Sequence, residues 1–116
     1  MSIRITGTGS YIPELIQKNN DFQDREFYTI EGEAIDTPTE IVVEKFKAIS
    51  ERRYANENLT TPNLGAFAAQ KALLDAKVDP ETLDYIICAH NFGDVKHNTI
   101  QSDILPCLAA RIKHLL

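Results

Sequence analysis

The stretch from Thr61 to Asn91 constrains the fold of this chain more than any other part of the sequence. It opens with Thr61 and Pro62, a pair that favours the start of a helix. Apolar residues then recur at three- and four-residue spacing, which predicts a helix whose many alanines permit close packing. Val78-Asp79-Pro80 ends this helix, and Leu83–His90, apolar on both faces, is predicted to be a covered strand. A helix that leads into such a strand predicts an α/β fold.

Composition excludes several classes of function for the 116 residues. The chain is 43% hydrophobic and 25% charged, which is typical of a globular domain. Its net charge of -5 argues against a nucleic-acid surface, which needs clustered lysine and arginine. No apolar run approaches the roughly 20 residues of a membrane span. The N-terminus has no signal-peptide character, so we expect a cytoplasmic protein that contacts neither nucleic acid nor membrane.

The remaining elements are predicted from shorter patterns. Ile3–Gly7 alternates apolar and polar residues as a half-buried strand does. A helix is predicted over about Thr39–Lys47, and a last helix over Pro106–Leu116 without any residue that ends it. The chain is therefore expected to continue beyond its last residue. Between the last strand and the last helix runs a long polar loop, Asn91–Leu105, and loops of this length are often functional.

Two local patterns suggest phosphate binding without establishing it. Gly7-Thr8-Gly9 follows the first strand as a dinucleotide-binding loop would, but the third glycine is missing and Pro13 stands where a helix should begin. We therefore favour a tight backbone turn. Arg52 and Arg53 are suited to phosphate oxygens, although most such clusters are solvated or paired with carboxylates.

Cysteine and histidine offer a nucleophile only if their side chains converge. Cys88 and His90 lie two residues apart and so share one face of the predicted strand, where neighbours usually stand parallel. Cys107 follows a proline in the predicted first turn of the last helix, where the helix dipole favours a thiolate. Ordinary packing roles are favoured for both cysteines. A metal site is disfavoured because the spacing fits no compact zinc motif; its ligands would come from Cys88, His90, Asp94, His97 and His114.

Taken in order, several segments resemble the N-terminal third of the β-ketoacyl-acyl carrier protein synthases III, a family of thiolase-like condensing enzymes. Ile5–Pro13 is similar to the opening strand and turn of that family. Asp36–Glu40 looks like the D-T-x-x-E segment of the family. Ala48–Arg52 resembles its G-I-x-E-R stretch, with Ala48 in place of the glycine. Thr61–Leu74 parallels the alanine-rich helix, and Pro106–Ala110 the start of the next helix.

The resemblance implies an incomplete α/β fold: residues 1–116 would form an N-terminal fragment of a mixed sheet covered by helices, with Ile3–Thr6 beside Leu83–His90. Members are acyltransferases that join an acyl group to malonyl-acyl carrier protein by decarboxylative Claisen condensation. Their catalytic cysteine, histidine and asparagine would lie beyond this chain, and neither of its own cysteines matches. The resemblance therefore implies no catalytic residue, no cofactor and no metal in this stretch, which we expect to be inactive by itself.

The resemblance also implies a substrate-binding role for four residues: Thr37, Ile41, Lys45 and Leu105. Ile41 replaces a tryptophan that holds the coenzyme A adenine, and the arginine expected a few residues later falls among Lys45, Phe46 and Lys47. The acyl donor is thus either acyl-coenzyme A or an acylated carrier protein. Leu105, smaller than the phenylalanine often found there, would enter the acyl pocket of the partner subunit and leave room for a longer or branched chain.

The implied partners are acyl carrier protein and a second copy of the chain in a homodimer. The rival reading is a stand-alone α/β binding or interaction domain of the same ancestry.

Overall fold

The computed structural model describes residues 2–45 and 49–116, which form two units. The larger unit contains the chain up to Pro13 together with Ala55–Leu116, and the smaller unit is Glu14–Tyr54. The smaller unit has strand β1 (Leu15–Lys18), helix α1 (Thr39–Glu44) and strand β2 (Glu51–Tyr54). The larger unit has four elements: helix α2 (Thr61–Ala76), strands β3 (Asp94–Val95) and β4 (Ser102–Asp103), and helix α3 (Leu108–Leu115).

Helix α2 is the element that was most clearly predicted, and the structure confirms it with a shift of one residue at the start. Its N-cap is Thr60, whose backbone N–H donates to the Asn63 side chain over 2.9 Å. The partner three residues on fixes the cap at this threonine, and Pro62 takes an early helical position. The last helical residue is Ala76, and the C-cap residue Lys77 adopts the left-handed conformation at φ 55°.

The glycines near the N-terminus allow the chain to lie directly on α2. A Cβ atom added to Gly7 would stand 2.6 Å from both the Ala72 carbonyl oxygen and the Ala76 nitrogen. A Cβ on Gly9 would collide in the same way with backbone atoms one turn earlier in the helix. Between them, the Thr8 backbone N–H donates to Asp75 over 2.9 Å. The predicted tight turn is therefore a backbone packed against a helix, which only glycine permits here.

Helices α2 and α3 form the core of the larger unit. The buried apolar side chains among the described residues are Ala66 on α2 with Leu108 and Ile112 on α3. A Cβ atom added to Gly65 would stand 2.6 Å from the Ile112 Cδ1 atom, so the Ile112 side chain occupies the space beside this glycine. Small residues on α2 thus let α3 approach closely, as the alanine-rich sequence predicted.

Arg111 on α3 holds the hairpin of β3 and β4 against that core. In this antiparallel pair Asp94 lies opposite Asp103, so two carboxylates face each other. The Arg111 guanidinium contacts both, at 2.9 Å from Asp94 Oδ2 and 2.7 Å from Asp103 Oδ2. The Asp94 side chain is only 5% exposed, and its Oδ1 has no hydrogen-bond partner among the residues described. Its charge is therefore balanced mainly by Arg111.

The two predicted strands Ile3–Gly7 and Leu83–His90 are not paired with each other or with other strands in the described part of the chain. Their side chains alternate instead: Tyr85 and Ile87 are largely exposed, while Ile86 and Cys88 are half-buried. The prediction of a strand covered on both faces was wrong for this structure. An apolar pattern indicates which residues favour burial, but a strand also needs a neighbouring strand to pair with, and the described residues provide none for Leu83–His90. The observed sheets are two small antiparallel pairs, so helices and strands both occur as an α/β class requires.

The smaller unit is built on the pairing of β1 with β2, which sequence patterns did not predict. Ile16 lies opposite Arg53 in this ladder, and the flanking Asn19 side chain bridges Arg52 and the Ile49 carbonyl at 2.8 and 2.9 Å. A 3-10 turn follows β1 at Asn19–Phe22. An isolated antiparallel bridge joins Tyr28 and Ala34.

Helix boundaries differ modestly from prediction at two other places. Helix α1 ends at Glu44, whereas the predicted helix extended to about Lys47. Its last predicted residues, Phe46 and Lys47, lie outside the described residues, as does Ala48, the first residue of the motif Ala48–Arg52. Helix α3 begins at Leu108 and not at Pro106, with Cys107 as its N-cap. Within the described ranges, no helix combines the length and the apolar character needed to cross a membrane.

Substituting Gly7 with alanine tests the close contact between the N-terminal segment and α2. The new methyl group meets helix backbone at 2.6 Å, which cannot rotate away. We expect Gly7→Ala to lower the free energy of unfolding by about 1–3 kcal/mol, the usual range for overpacking. Urea denaturation followed by circular dichroism measures this. Ser10→Ala, at an exposed site nearby, is the control and should change stability by less than about 0.5 kcal/mol. Equal effects for the two variants would contradict the contact.

Replacing Arg111 with methionine tests the balance of charge beneath the hairpin. Methionine keeps an unbranched stem but leaves the Asp94 carboxylate buried without its cation. Removing the cation leaves this carboxylate uncompensated, so Arg111→Met is expected to lower the free energy of unfolding clearly more than loss of an exposed ion pair does. Unfolding in urea at neutral pH gives the value. Arg53→Met is the matched control, because both partners of the Arg53–Glu51 pair are 40% exposed and such pairs contribute at most about 1 kcal/mol. A loss for Arg111→Met as small as that of the control would overturn this account.

Candidate functional site

Helix α1 brings two of the four expected substrate-binding residues onto one face. Ile41 lies in its first turn and is 49% exposed, and Lys45 is the exposed C-cap residue four positions later. Side chains at i and i+4 are neighbours on a helix, so an apolar and a cationic side chain stand together. Thr37 is exposed just before Pro38, the N-cap of this helix. The three residues are thus presented by one short segment of the smaller unit.

Arg52, which lies in the same unit, is held by its own surroundings. Its Nη1 donates to Asn19 Oδ1 over 2.8 Å, and its guanidinium lies 5.2 Å from the centroid of the Phe22 ring. Arg53 pairs with Glu51 at 3.0 Å on the surface of β2. Both arginines therefore have the structural roles that were favoured from the sequence, and the phosphate-binding alternative gains no support from their contacts.

Leu105, the fourth expected residue, lies in the larger unit between β4 and α3. Its side chain is 81% exposed, although its backbone is firmly bound. The Arg111 Nη2 donates to the Leu105 carbonyl oxygen over 2.8 Å, and Arg111 Nε donates to the Pro106 carbonyl oxygen over 2.8 Å. The structure thus presents a large apolar side chain to solvent from a fixed backbone.

Arg111 lies near an expected site residue, Leu105, and was missed by sequence patterns. The hydrogen bond to Asp103 raises the pKa of Arg111 above its ordinary value, and attraction from Asp103 and Asp94 adds to this against the opposing effect of burial. The side chain is therefore a cation at neutral pH, as arginine side chains ordinarily are. A signal existed in the sequence, since Asp94 and Asp103 are carboxylates in a polar loop that precedes a basic helix. Nothing in that pattern indicates which of the nearby cations they meet.

The proposed nucleophile pair of Cys88 and His90 is not supported by the bonding of the histidine. His90 Nδ1 accepts a hydrogen bond from the Gly93 backbone N–H over 2.9 Å, which places the proton of the neutral ring on Nε2. A general base needs an unprotonated nitrogen facing the thiol, and Nδ1 is already occupied. His90 thereby closes the turn in which Gly93 adopts φ 75°. Cys88 is half-buried, which suits the packing role that was favoured for it.

The other candidate ligands are also engaged separately. His97 Nε2 lies 3.8 Å from Glu57 Oε1, and Asp94 is bound by Arg111. Within the described ranges, no three histidine, cysteine or acidic side chains stand close enough to hold a metal ion. Cys107 is exposed at the N-cap of α3 and makes no side-chain capping bond, so it lies one position before the helical turn in which it was predicted.

Two cavities flank the exposed segment Leu83–His90. One of about 280 Å³ lies along α2 and is lined mainly by apolar atoms of Gly7, Ala72, Tyr85 and Ile86. The second, of about 260 Å³, lies between the same segment and α3, with Lys113 and Glu81 at its edges. Both cavities border backbone that has no strand partner within residues 2–45 and 49–116. The first cavity marks apolar surface that the described residues leave uncovered, whereas the second is lined by polar and apolar atoms alike.

Comparison with known proteins gives the chain its relatives. No protein-family model matches it. It is 33% identical over 116 residues to β-ketoacyl-acyl carrier protein synthase III of Actinobacillus succinogenes, which covers 100% of this chain and 31% of that protein. It is 40% identical over 94 residues to the Clostridium acetobutylicum synthase III, and 37% identical over 93 residues to synthase III 1 of Vibrio vulnificus. These two matches cover 80% of this chain, and 25% and 26% of the relatives.

The chain spans about a quarter to a third of the length of the curated relatives that it matches. The matches span 80–100% of its own residues. The chain therefore belongs to the β-ketoacyl-acyl carrier protein synthase III family.

Proposed function

We propose that these 116 residues are the N-terminal part of a thiolase-like synthase III, an acyltransferase of fatty-acid or related lipid and polyketide biosynthesis. The observation that carries the proposal is the 33% identity to the Actinobacillus succinogenes synthase III along the whole chain. In the proposed reaction the thiolate of a cysteine attacks the thioester carbonyl of the acyl donor, takes over the acyl group as a new thioester and releases the donor's thiol. Loss of CO₂ from malonyl-acyl carrier protein then gives a carbanion that attacks the thioester carbonyl and expels the cysteine thiolate.

The uncovered surfaces of the larger unit are consistent with this proposal. Ile3, Ile5, Tyr85 and Ile87 are each more than four-fifths exposed, which is unusual for apolar residues of predicted strands. In the proposed complete protein these segments are strands of one mixed sheet, and further strands and helices cover them. The catalytic cysteine, histidine and asparagine then belong to the part of the protein outside this chain, and the chain alone is inactive.

The smaller unit is proposed to bind the acyl donor through Thr37, Ile41 and Lys45. Ile41 is exposed and apolar but offers no aromatic ring for an adenine base, whereas Lys45 supplies a positive charge for phosphate. A donor that carries a phosphopantetheine arm without a nucleotide, such as an acylated carrier protein, suits this surface better than acyl-coenzyme A.

Leu105 is proposed to line the acyl pocket of the partner subunit in a cytoplasmic homodimer. The exposed position of its side chain fits a residue that is inserted into another subunit. Because leucine is smaller than the phenylalanine often found in the family at this place, the pocket should accept longer or branched acyl groups. Acyl carrier protein and the second subunit are thus the proposed partners.

The direct test uses the longest natural polypeptide that contains this chain. Incubated with malonyl-acyl carrier protein and a series of acyl donors, it should form 3-oxoacyl products detectable by mass spectrometry, and residues 1–116 alone should form none. A folded full-length protein that binds carrier protein but yields no condensation product with any donor would refute the proposal and favour a binding domain of the same ancestry.

An Ile41→Trp substitution in that polypeptide tests the proposed donor surface. Stacking of a base on an aromatic side chain contributes about 1–3 kcal/mol, so the KM for acyl-coenzyme A should fall about fivefold or more. The KM for the same acyl group on carrier protein should not change, because that donor has no adenine. Steady-state kinetics with both donors provides the measurement, and Ile41→Leu serves as the control. An equal change with the two donors would show that Ile41 does not face the nucleotide.

A further inference from the structure

The Arg111 side chain holds the backbone of Leu105 from several sides at once. Its Nη2 donates to the Leu105 carbonyl and its Nε to the next carbonyl along the chain, that of Pro106, each over 2.8 Å. Its contact with Asp103 fixes the chain two residues before Leu105. One planar guanidinium therefore binds both the residue itself and the segments on either side of it.

Arg111 can act as an anchor because its own helix is firmly packed. Leu108, three residues before it, and Ile112, the next residue, are 3% and 5% exposed against α2. The rigid fork of a guanidinium fixes several acceptors in one geometry, which a lysine ammonium on a flexible stem does not. The Arg111 side chain thus connects the backbone of Leu105 to the core of the larger unit.

The fourth partner extends this hold to the far end of the loop. Asp94, which is 17 residues away in sequence, is bound through Arg111 Nη1 at 2.9 Å and is buried. Because Asp94 and Asp103 lie opposite each other in the β3–β4 pair, the same guanidinium closes the loop that ends at Leu105. A shift of Leu105 would break the charge-assisted hydrogen bond that its carbonyl oxygen accepts from Arg111 Nη2.

We propose that Arg111 is a positioning residue that fixes Leu105 at the acyl-binding surface and thereby sets the acyl-chain selectivity of the enzyme. This inference rests on the proposed function, because it takes Leu105 as a wall of the acyl pocket. A fixed apolar wall discriminates chains by their fit, typically about 10- to 200-fold per methylene. A wall on a loosened loop yields to longer chains and loses that discrimination.

The variant Arg111→Lys tests the inference in the longest natural polypeptide that contains the chain. Lysine keeps the positive charge for Asp94 and Asp103 but cannot reach both carbonyls with a fixed fork. Two quantities are measured: backbone amide hydrogen exchange over residues 91–107, and kcat/KM for a series of straight-chain acyl donors. Arg53→Lys is the control, since it makes the same exchange at an exposed ion pair.

We expect Arg111→Lys to speed amide exchange in the loop about tenfold or more while exchange in α2 is unchanged, because the loop loses its anchor. The ratio of kcat/KM between the preferred donor and one that is two methylenes longer should fall about fivefold or more, mainly through the longer donor. Leu105→Ala, which removes the wall itself, should flatten the profile in the same direction without changing loop exchange.

The outcomes separate this inference from the proposed function. Unchanged loop exchange in Arg111→Lys, or faster exchange with an unchanged acyl profile, overturns the positioning role while the synthase assignment stands. A folded wild type that transfers no acyl group overturns the proposed function and the selectivity role with it. If Arg111→Lys does not fold, Asp103→Asn replaces it, since that carboxylate is 47% exposed; loop exchange and selectivity must then change together.

Discussion

Direct contact between glycine and helix backbone is the constraint on which the larger unit depends. Helix α2 receives the N-terminal segment at Gly7 and Gly9, and it receives α3 at Gly65. At Gly7 and Gly9 the approach exists only because a side chain is absent, since a Cβ atom would meet helix backbone. At Gly65 the end of the Ile112 side chain occupies the space that a Cβ atom would need. The two contacts hold the N-terminal segment and α3 on one helix, so α2 serves as the common support of the unit.

This arrangement leaves apolar residues outward-facing on the segments that α2 supports. Ile3 and Ile5 on the N-terminal segment, and Tyr85 and Ile87 after α2, expose nearly all of their surface. Relatives of about three times the length provide a physical reason for such residues, because a longer protein has the material to cover them. The uncovered apolar surface and the partial match to longer relatives therefore point to the same proposal.

The sequence predicted what is local and missed what depends on distant partners. Helix α2 was found because its spacing, cap and stop lie within one continuous stretch, and α3 because Leu108 and Ile112 fall one turn apart. Strand β2 was missed because its residues, Glu51–Tyr54, are mostly charged and acquire strand geometry only by pairing with β1. The role of Arg111 was invisible for a similar reason, since its acceptors lie 5 to 17 residues away and two of them are backbone carbonyls. The expected binding roles of Thr37, Ile41, Lys45 and Leu105 came from family resemblance alone, and they stay predictions.

The facing carboxylates of the β3–β4 pair also couple the stability of the hairpin to that of the helices. Like charges directly opposite each other destabilise an antiparallel pair, and each of these two strands has only two residues to offset the repulsion. The cation that offsets it, Arg111, comes from α3, which packs on α2. Any change that loosens α3 from α2 therefore also removes the charge balance of the hairpin.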